Sequence, residues 1–338
     1  MNSISENSQA VLLLTAPLIT GNSESGETSP LSLSQYNKLE RRLAELDLTP
    51  TNLLEPERQQ FLEELASLQT PERLESLLAR GFQMTQALER WGARGIWVVS
   101  RTDEHYPERL LSKLKDHAPP LIYGCGEKTL LENGGLAVVG SRRADEESLA
   151  LTASMGHLAA ESEVTIISGG AKGVDRTAMQ GALEQGGAAI GVLADQLIRM
   201  AIAPDCRDAI MDGRLTFISL VDPSAQFNVG NAMQRNKIIY ALADAALVVS
   251  SDLEKGGTWN GALEQLNRFH CCPIYVRVGP TAPAGNLELL NRGALRWPEP
   301  ENSVVFKSIM AGPTTFASQP RKDDLPLFAG FEDQEPRT

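Results

Sequence analysis

Two short segments, Gly140-Ser141-Arg142 and Ser168-Gly169-Gly170-Ala171-Lys172-Gly173, combine glycines, a hydroxyl and a cation. Glycine lets a backbone approach an anion closely, and helix N-terminal N–H groups supply donors. Arg142 can clamp a phosphate through two parallel bonds, and Lys172 acts as a point charge. The hydroxyls of Ser141 and Ser168 add donors. Neither segment is a GxGxxG fingerprint or a P-loop, so a standard dinucleotide site is not expected. A blander reading stays open, in which the glycines only make tight turns. Two such turns, each carrying a cation, favour phosphate binding. Asp175, three residues beyond Lys172, is expected to cap the next helix or to pair with a cation.

A third cluster, Arg235-Asn236-Lys237, would extend the cationic surface, its alternative being a solvated helix face. The fourth, Lys255 to Gly261, places Gly256, Gly257 and Thr258 at another glycine-lined helix start. Trp259 within it offers either base stacking or core packing.

The elements that must hold these clusters follow from hydrophobic periodicity. Strand-like runs fall at 95–100, 119–126, 136–140, 164–168, 188–193, 215–221, 246–250 and 273–278. Helix-like segments such as 144–161 and 175–185 alternate with the later ones. That alternation predicts an α/β fold with a doubly wound, mainly parallel sheet, and such sheets bind ligands at their strands' carboxyl ends. Ahead of it lies a small helical region. Residues 10–19 read as a buried helix and 20–34 as a loop. Tyr36, Leu39, Leu43 and Leu46 form one helix face. Thr70-Pro71 starts a helix that Gly81 should close, and 82–94 makes another. The expected division is a helical part at 1–94, the sheet domain at 95–300 and a mostly disordered tail at 301–338.

Composition bounds the function. The 338-residue chain is 42% hydrophobic with a formal net charge of −12. That charge argues against a protein that coats itself in nucleic acid, whereas a local basic groove is compatible with it. The four cysteines show no metal-ligand spacing, no apolar run is long enough to span a bilayer, and a cytoplasmic home is expected. The four histidines are scattered. No catalytic residue, metal or cofactor is expected.

The run from Ala137 to Leu193 resembles the bacterial DNA-processing protein A (DprA/Smf) family. It carries a GSR turn at Gly140 to Arg142, an SGxA[RK]G[IV]D-like turn at Ser168 to Asp175, and an AxxGAL-like segment at Ala178 to Leu183. Residues 235–239 resemble its RN[RK]II segment, and 102–126 its stretch before the GSR turn. Coverage is about 95–280. The resemblance implies an extended Rossmann-like fold, a homodimer, and single-stranded DNA held in a positive pocket without catalysis. It also implies help in loading a RecA-type recombinase, as in natural transformation. The contacts carried over are Ser141, Arg142, Gly170, Lys172, Gly173, Arg235, Asn236 and Lys237.

Two departures keep alternatives open. The residues after Trp297 are not expected to form the winged-helix domain that many family members carry. "KGGTWNGALEQ" stands in place of the usual family segment and resembles a motif of phosphoribohydrolases, in which Glu264 would act on a nucleotide. A divergent branch could instead be the DNA-sensing or antitoxin half of a toxin or phage-defence pair. In the tail, Leu325, Leu327 and Phe328 resemble a sliding-clamp docking peptide, with packing on the chain's own domain as the alternative.

Overall fold

The computed structural model describes residues 4–19 and 29–312. Among these, one nine-stranded sheet runs through the molecule. Its strands are β1 (Trp97–Ser100), β2 (Leu121–Cys125), β3 (Leu136–Val139), β4 (Ile166–Ser168), β5 (Ala189–Leu193), β6 (Leu215–Ser219), β7 (Ala245–Val248), β8 (Ile274–Val276) and β9 (Leu295–Arg296). The spatial order is β1-β2-β6-β5-β4-β3-β7-β8-β9. From β6 to β9 every pairing is parallel, whereas β1 and β2 add an antiparallel extension, with Tyr123 opposite Ser219.

The first eight strands lie on the expected segments. The two-residue β9 was not foreseen, being too short to carry a periodicity. The chain builds β3, β4, β5 and β6 outward on one side, then returns to place β7 on the other side of β3. That reversal is a topological switch point, where loops diverge and leave a crevice at the carboxyl ends.

Both faces of the sheet are covered. Leu136 and Val138 of β3 enter one apolar cluster, and Ala137 and Val139 enter the other, the period-two alternation of a strand. A parallel sheet buried on both sides explains why these strands are apolar throughout.

Helices Glu6–Thr15, Leu33–Glu45, Arg58–Glu64, Pro71–Leu78 and Gly81–Gly92 make the N-terminal region. Tyr36, Leu39 and Leu43 are buried on one face, as the spacing predicts. Their side chains join the cluster containing Leu136 and Phe217, and Trp91 meets Tyr123 edge-on at 5.2 Å. Burying each such Leu contributes about 1.5–3 kcal/mol, so these helices are held mainly by the sheet they cover. Asp103 adds a polar tie, accepting from the hydroxyls of Ser5 and Ser8 and from the Ser100 amide at 2.7 Å.

Four local expectations need correction. The first helix spans Glu6–Thr15 rather than 10–19, because Pro17 forces Ala16 into extended backbone. Gly81 does not close the Pro71 helix. That helix ends at Leu78, and Gly81 opens the next one. The sequence beyond 300 is not all tail: Ser303–Met310 is a helix capped by Asn302, with Phe306 fully buried near Trp297. Of the loop expected at 20–34, the end is helical instead, because Ser32 caps a helix that begins at Leu33; residues 20–28 and the segment with Leu325, Leu327 and Phe328 lie outside the described residues. No helix among the described residues is long and apolar enough to cross a membrane.

Candidate functional site

A cleft of about 500 Å³ opens at the switch point. The first glycine turn, leaving β3, supplies Gly140, Ser141, Arg142 and Arg143. The loop after β7 and the helix Gly256–Glu264 supply Ser250, Asp252, Lys255, Gly256, Gly257, Thr258 and Asn260. The helix Val229–Leu242 closes the cleft with Met233, Arg235 and Asn236.

Hydrogen bonds lock these pieces together. Ser141 N–H donates to Ser250 Oγ at 3.0 Å, and Thr258 Oγ1 donates to the Gly140 carbonyl at 3.2 Å. Asn236 Nδ2 donates to the Gly257 carbonyl at 3.0 Å. No side chain caps the start of the Gly256–Glu264 helix, so its first-turn N–H groups border the cleft as donors.

At the base of the cleft Arg235, only 7% exposed, faces Asp175 at 3.7 Å. Asp175 thus takes the cation-pairing role, while Gly173 occupies the cap position of the Val174–Glu184 helix. Burial raises the Asp175 carboxyl above its ordinary value, against the pull of Arg235 and of the Ala171, Gly140 and Gly169 amides. Burial likewise lowers Arg235, with Asp175 opposing and Arg142 reinforcing that effect. Both ions have therefore lost more to desolvation than their mutual attraction returns. Arg235 Nε is buried without a hydrogen-bond partner.

The second glycine turn is packed rather than open. A Cβ on Gly169 would lie 1.3 Å from Arg235 Nη1, so the missing side chain is the space the guanidinium occupies. Gly173 has φ +89°, and a Cβ there would meet the Ser141 carbonyl at 2.5 Å. Gly170 also has positive φ and sits against Leu193. Ala171 reaches the cleft wall. Lys172, one residue further, is exposed and not part of that wall.

Ser141, Arg142, Arg235, Asn236, Gly256, Gly257 and Thr258 therefore converge on one cleft. Gly169, Gly170, Lys172 and Gly173 of the second turn are not on its walls, and neither are Ser168, Lys237, Glu264 and Trp259. Ser168 is fully buried and donates to the Val138 carbonyl at 2.6 Å, so its hydroxyl serves the strand pair. Lys237 points away, reaching Glu264 at 3.4 Å and lying over the Phe269 ring. Glu264, tied to Lys237 at the far end of its helix, is likewise outside the cleft. Trp259 is 3% exposed, packed in the core with Arg292 across its ring, and has no face for a base.

The exposed aromatic at the cleft is Phe227, 48% exposed, with the Arg142 guanidinium 5.8 Å from its ring centre, whereas Tyr240 on the same wall is buried. Its signal in the sequence is a lone aromatic in the polar stretch Gln226 to Asn231. Among the described residues no cluster of three or more His, Cys, Asp or Glu side chains is placed to hold a metal.

Comparison with known proteins agrees with this architecture. Residues 97–306 match the family model for DNA recombination-mediator protein A. Protein Smf of Escherichia coli K12 is 30% identical over 208 residues, covering 60% of this chain and 54% of Smf. DNA processing protein DprA of Streptococcus pneumoniae R6 is 32% identical over 167 residues, covering 48% of this chain and 58% of that protein. The chain thus spans about half the length of the curated relatives it matches. The crystal structure of DNA processing protein A from Streptococcus pneumoniae superposes with a TM-score of 0.65 at 21% identity, covering 87% of this chain and 95% of that one. That likeness extends the shared fold beyond the sequence match. Because the match at 97–306 takes in the whole sheet and every wall of the cleft, the chain belongs to the DNA recombination-mediator protein A family.

Proposed function

We propose that the switch-point cleft binds the sugar–phosphate chain of single-stranded DNA, and that the protein acts without catalysis in DNA processing and recombination. The observation that carries this reading is Arg235, a buried cation with an unsatisfied Nε at the base of the cleft. Around it the walls carry Arg142, Arg143 and Lys255, so four cations stand against two carboxylates, Asp175 and Asp252. The basic groove is local, on a chain of net charge −12. Uncapped helix amides add donors for phosphate oxygens, and Phe227 offers a π-face that only an unpaired base can reach. The family's description as a recombination mediator supports delivery of bound strands to a RecA-type recombinase. The nucleotide-hydrolysing alternative loses its key residue, because Glu264 is held by Lys237 outside the cleft.

Fluorescence-anisotropy titrations with single- and double-stranded oligonucleotides at two salt concentrations test the reading. Single strands should bind more tightly, with log K falling against log salt by about 0.7 per phosphate contacted. Salt-independent binding, or a preference for duplex, would contradict it.

A further inference from the structure

Phe227 belongs to two depressions. Beyond its ring from the phosphate cleft lies a second groove of about 570 Å³, over the carboxyl ends of β5 and β6, that includes Asp195, Gln196, Ser224 and Gln226. The groove is preformed. Buried Asp222 accepts from the Ser224 amide at 2.8 Å and from the Ile19 amide at 3.1 Å, fixing the 222–227 loop. The Ile198 amide donates to the Pro223 carbonyl at 3.4 Å and joins the two walls.

Its chemistry is unusual beside an anion cleft. Asp195 stands close enough to Arg235 to act on its charge, yet its carboxylate has no hydrogen bond or ion pair among the described residues. Arg199 shares the groove, so its lining is not anionic overall, but the unpaired Asp195 carboxylate is an acceptor that a donating ligand can satisfy. The Gln196 carbonyl oxygen accepts from Arg199 at 3.3 Å, which leaves its amide NH2 free to donate.

We propose that this groove is a base-reading subsite, which places a guanine of the bound strand on Asp195 next to the base stacked on Phe227. Guanine alone among the four DNA bases presents adjacent N1–H and N2–H2 donors, which match the two oxygens of a carboxylate. Its O6 would accept from a Gln196 or Gln226 amide. Thymine flanks its single donor with two carbonyls, which a carboxylate repels. Adenine and cytosine each offer one exocyclic donor beside a ring acceptor. Unstacked bases of single strands are read on this edge.

The inference rests on the cleft holding single-stranded DNA, and the test separates the two. Labelled oligo-dT is compared with the same strand carrying one guanine at successive positions, using the full chain and Asp195→Asn. The expected result is affinity roughly tenfold higher at one guanine register. In Asp195→Asn the preference should disappear, while plain oligo-dT binds at least as tightly because a negative charge has gone. Equal binding of both strands by the unaltered chain, or a preference that survives in Asp195→Asn, overturns the base subsite alone. Failure to bind any of the strands overturns the cleft reading and the subsite with it.

Discussion

The two glycine turns at the carboxyl edge are made of similar residues and meet different partners. The turn after β3 leaves Arg142 exposed beside Phe227, on the wall of the cleft. The turn after β4 folds inward, where Gly169 admits the Arg235 guanidinium and Gly173 receives the Ser141-Arg142 backbone. Its cation, Lys172, stands off the wall, and its carboxylate, Asp175, holds a cation contributed from a helix sixty residues later. A glycine followed by a cation thus signals that backbone comes close to something. Whether that something is a ligand or the chain itself depends on which side of the switch point the turn faces.

Substitutions sharpen this contrast. The largest effect is expected from Asp175→Ala, which leaves Arg235 charged and unpaired at the base of the cleft. Stability in a denaturant titration should fall by about 3–5 kcal/mol, and a change near zero would mean the pair is not structural. Gly173→Ala comes next. A Cβ against the Ser141 carbonyl, at positive φ, should cost about 2–3 kcal/mol, with the first turn displaced as well. Arg142→Ala should leave stability within about 0.5 kcal/mol. It should weaken oligonucleotide binding and reduce the salt slope by about one. Lys237→Ala is expected to do least, since a partly exposed pair with Glu264 contributes under about 1 kcal/mol and no cleft contact is lost. Should Lys237→Ala weaken binding more than Arg142→Ala, the assignment of inner and outer faces would be reversed.

Much of this architecture was legible because strand periodicity and glycine turns are local signals. β1 to β8 were read from apolar runs bounded by turn residues, and both turns were read at their correct positions. What was not legible depends on long-range packing. Arg235 and Lys237 are adjacent in motif terms, but residues two apart on a helix point to nearly opposite sides, so one enters the cleft and the other leaves it. Trp259 follows the cleft-facing Gly256 to Thr258 segment, yet its helix turns that position into the core. Pairing of β1 and β2 antiparallel to the rest carries no sequence mark. Ser303–Met310 was hidden by its Pro-rich and charged flanks, although Asn302 and the spacing of Phe306 and Ile309 mark a capped, one-sided helix.

Hydrogen–deuterium exchange with and without a short oligo-dT strand tests the central claim most directly, because it reports on every peptide at once. Binding at the switch point should slow exchange in the peptides containing Ser141 to Arg143 and Gly256 to Thr258, where helix and turn amides border the cleft. Exchange around Glu264 to Phe269, on the side where Lys237 is tied down, should be unchanged. Protection confined to that second region, with the glycine turns exchanging as in the free protein, would contradict the account.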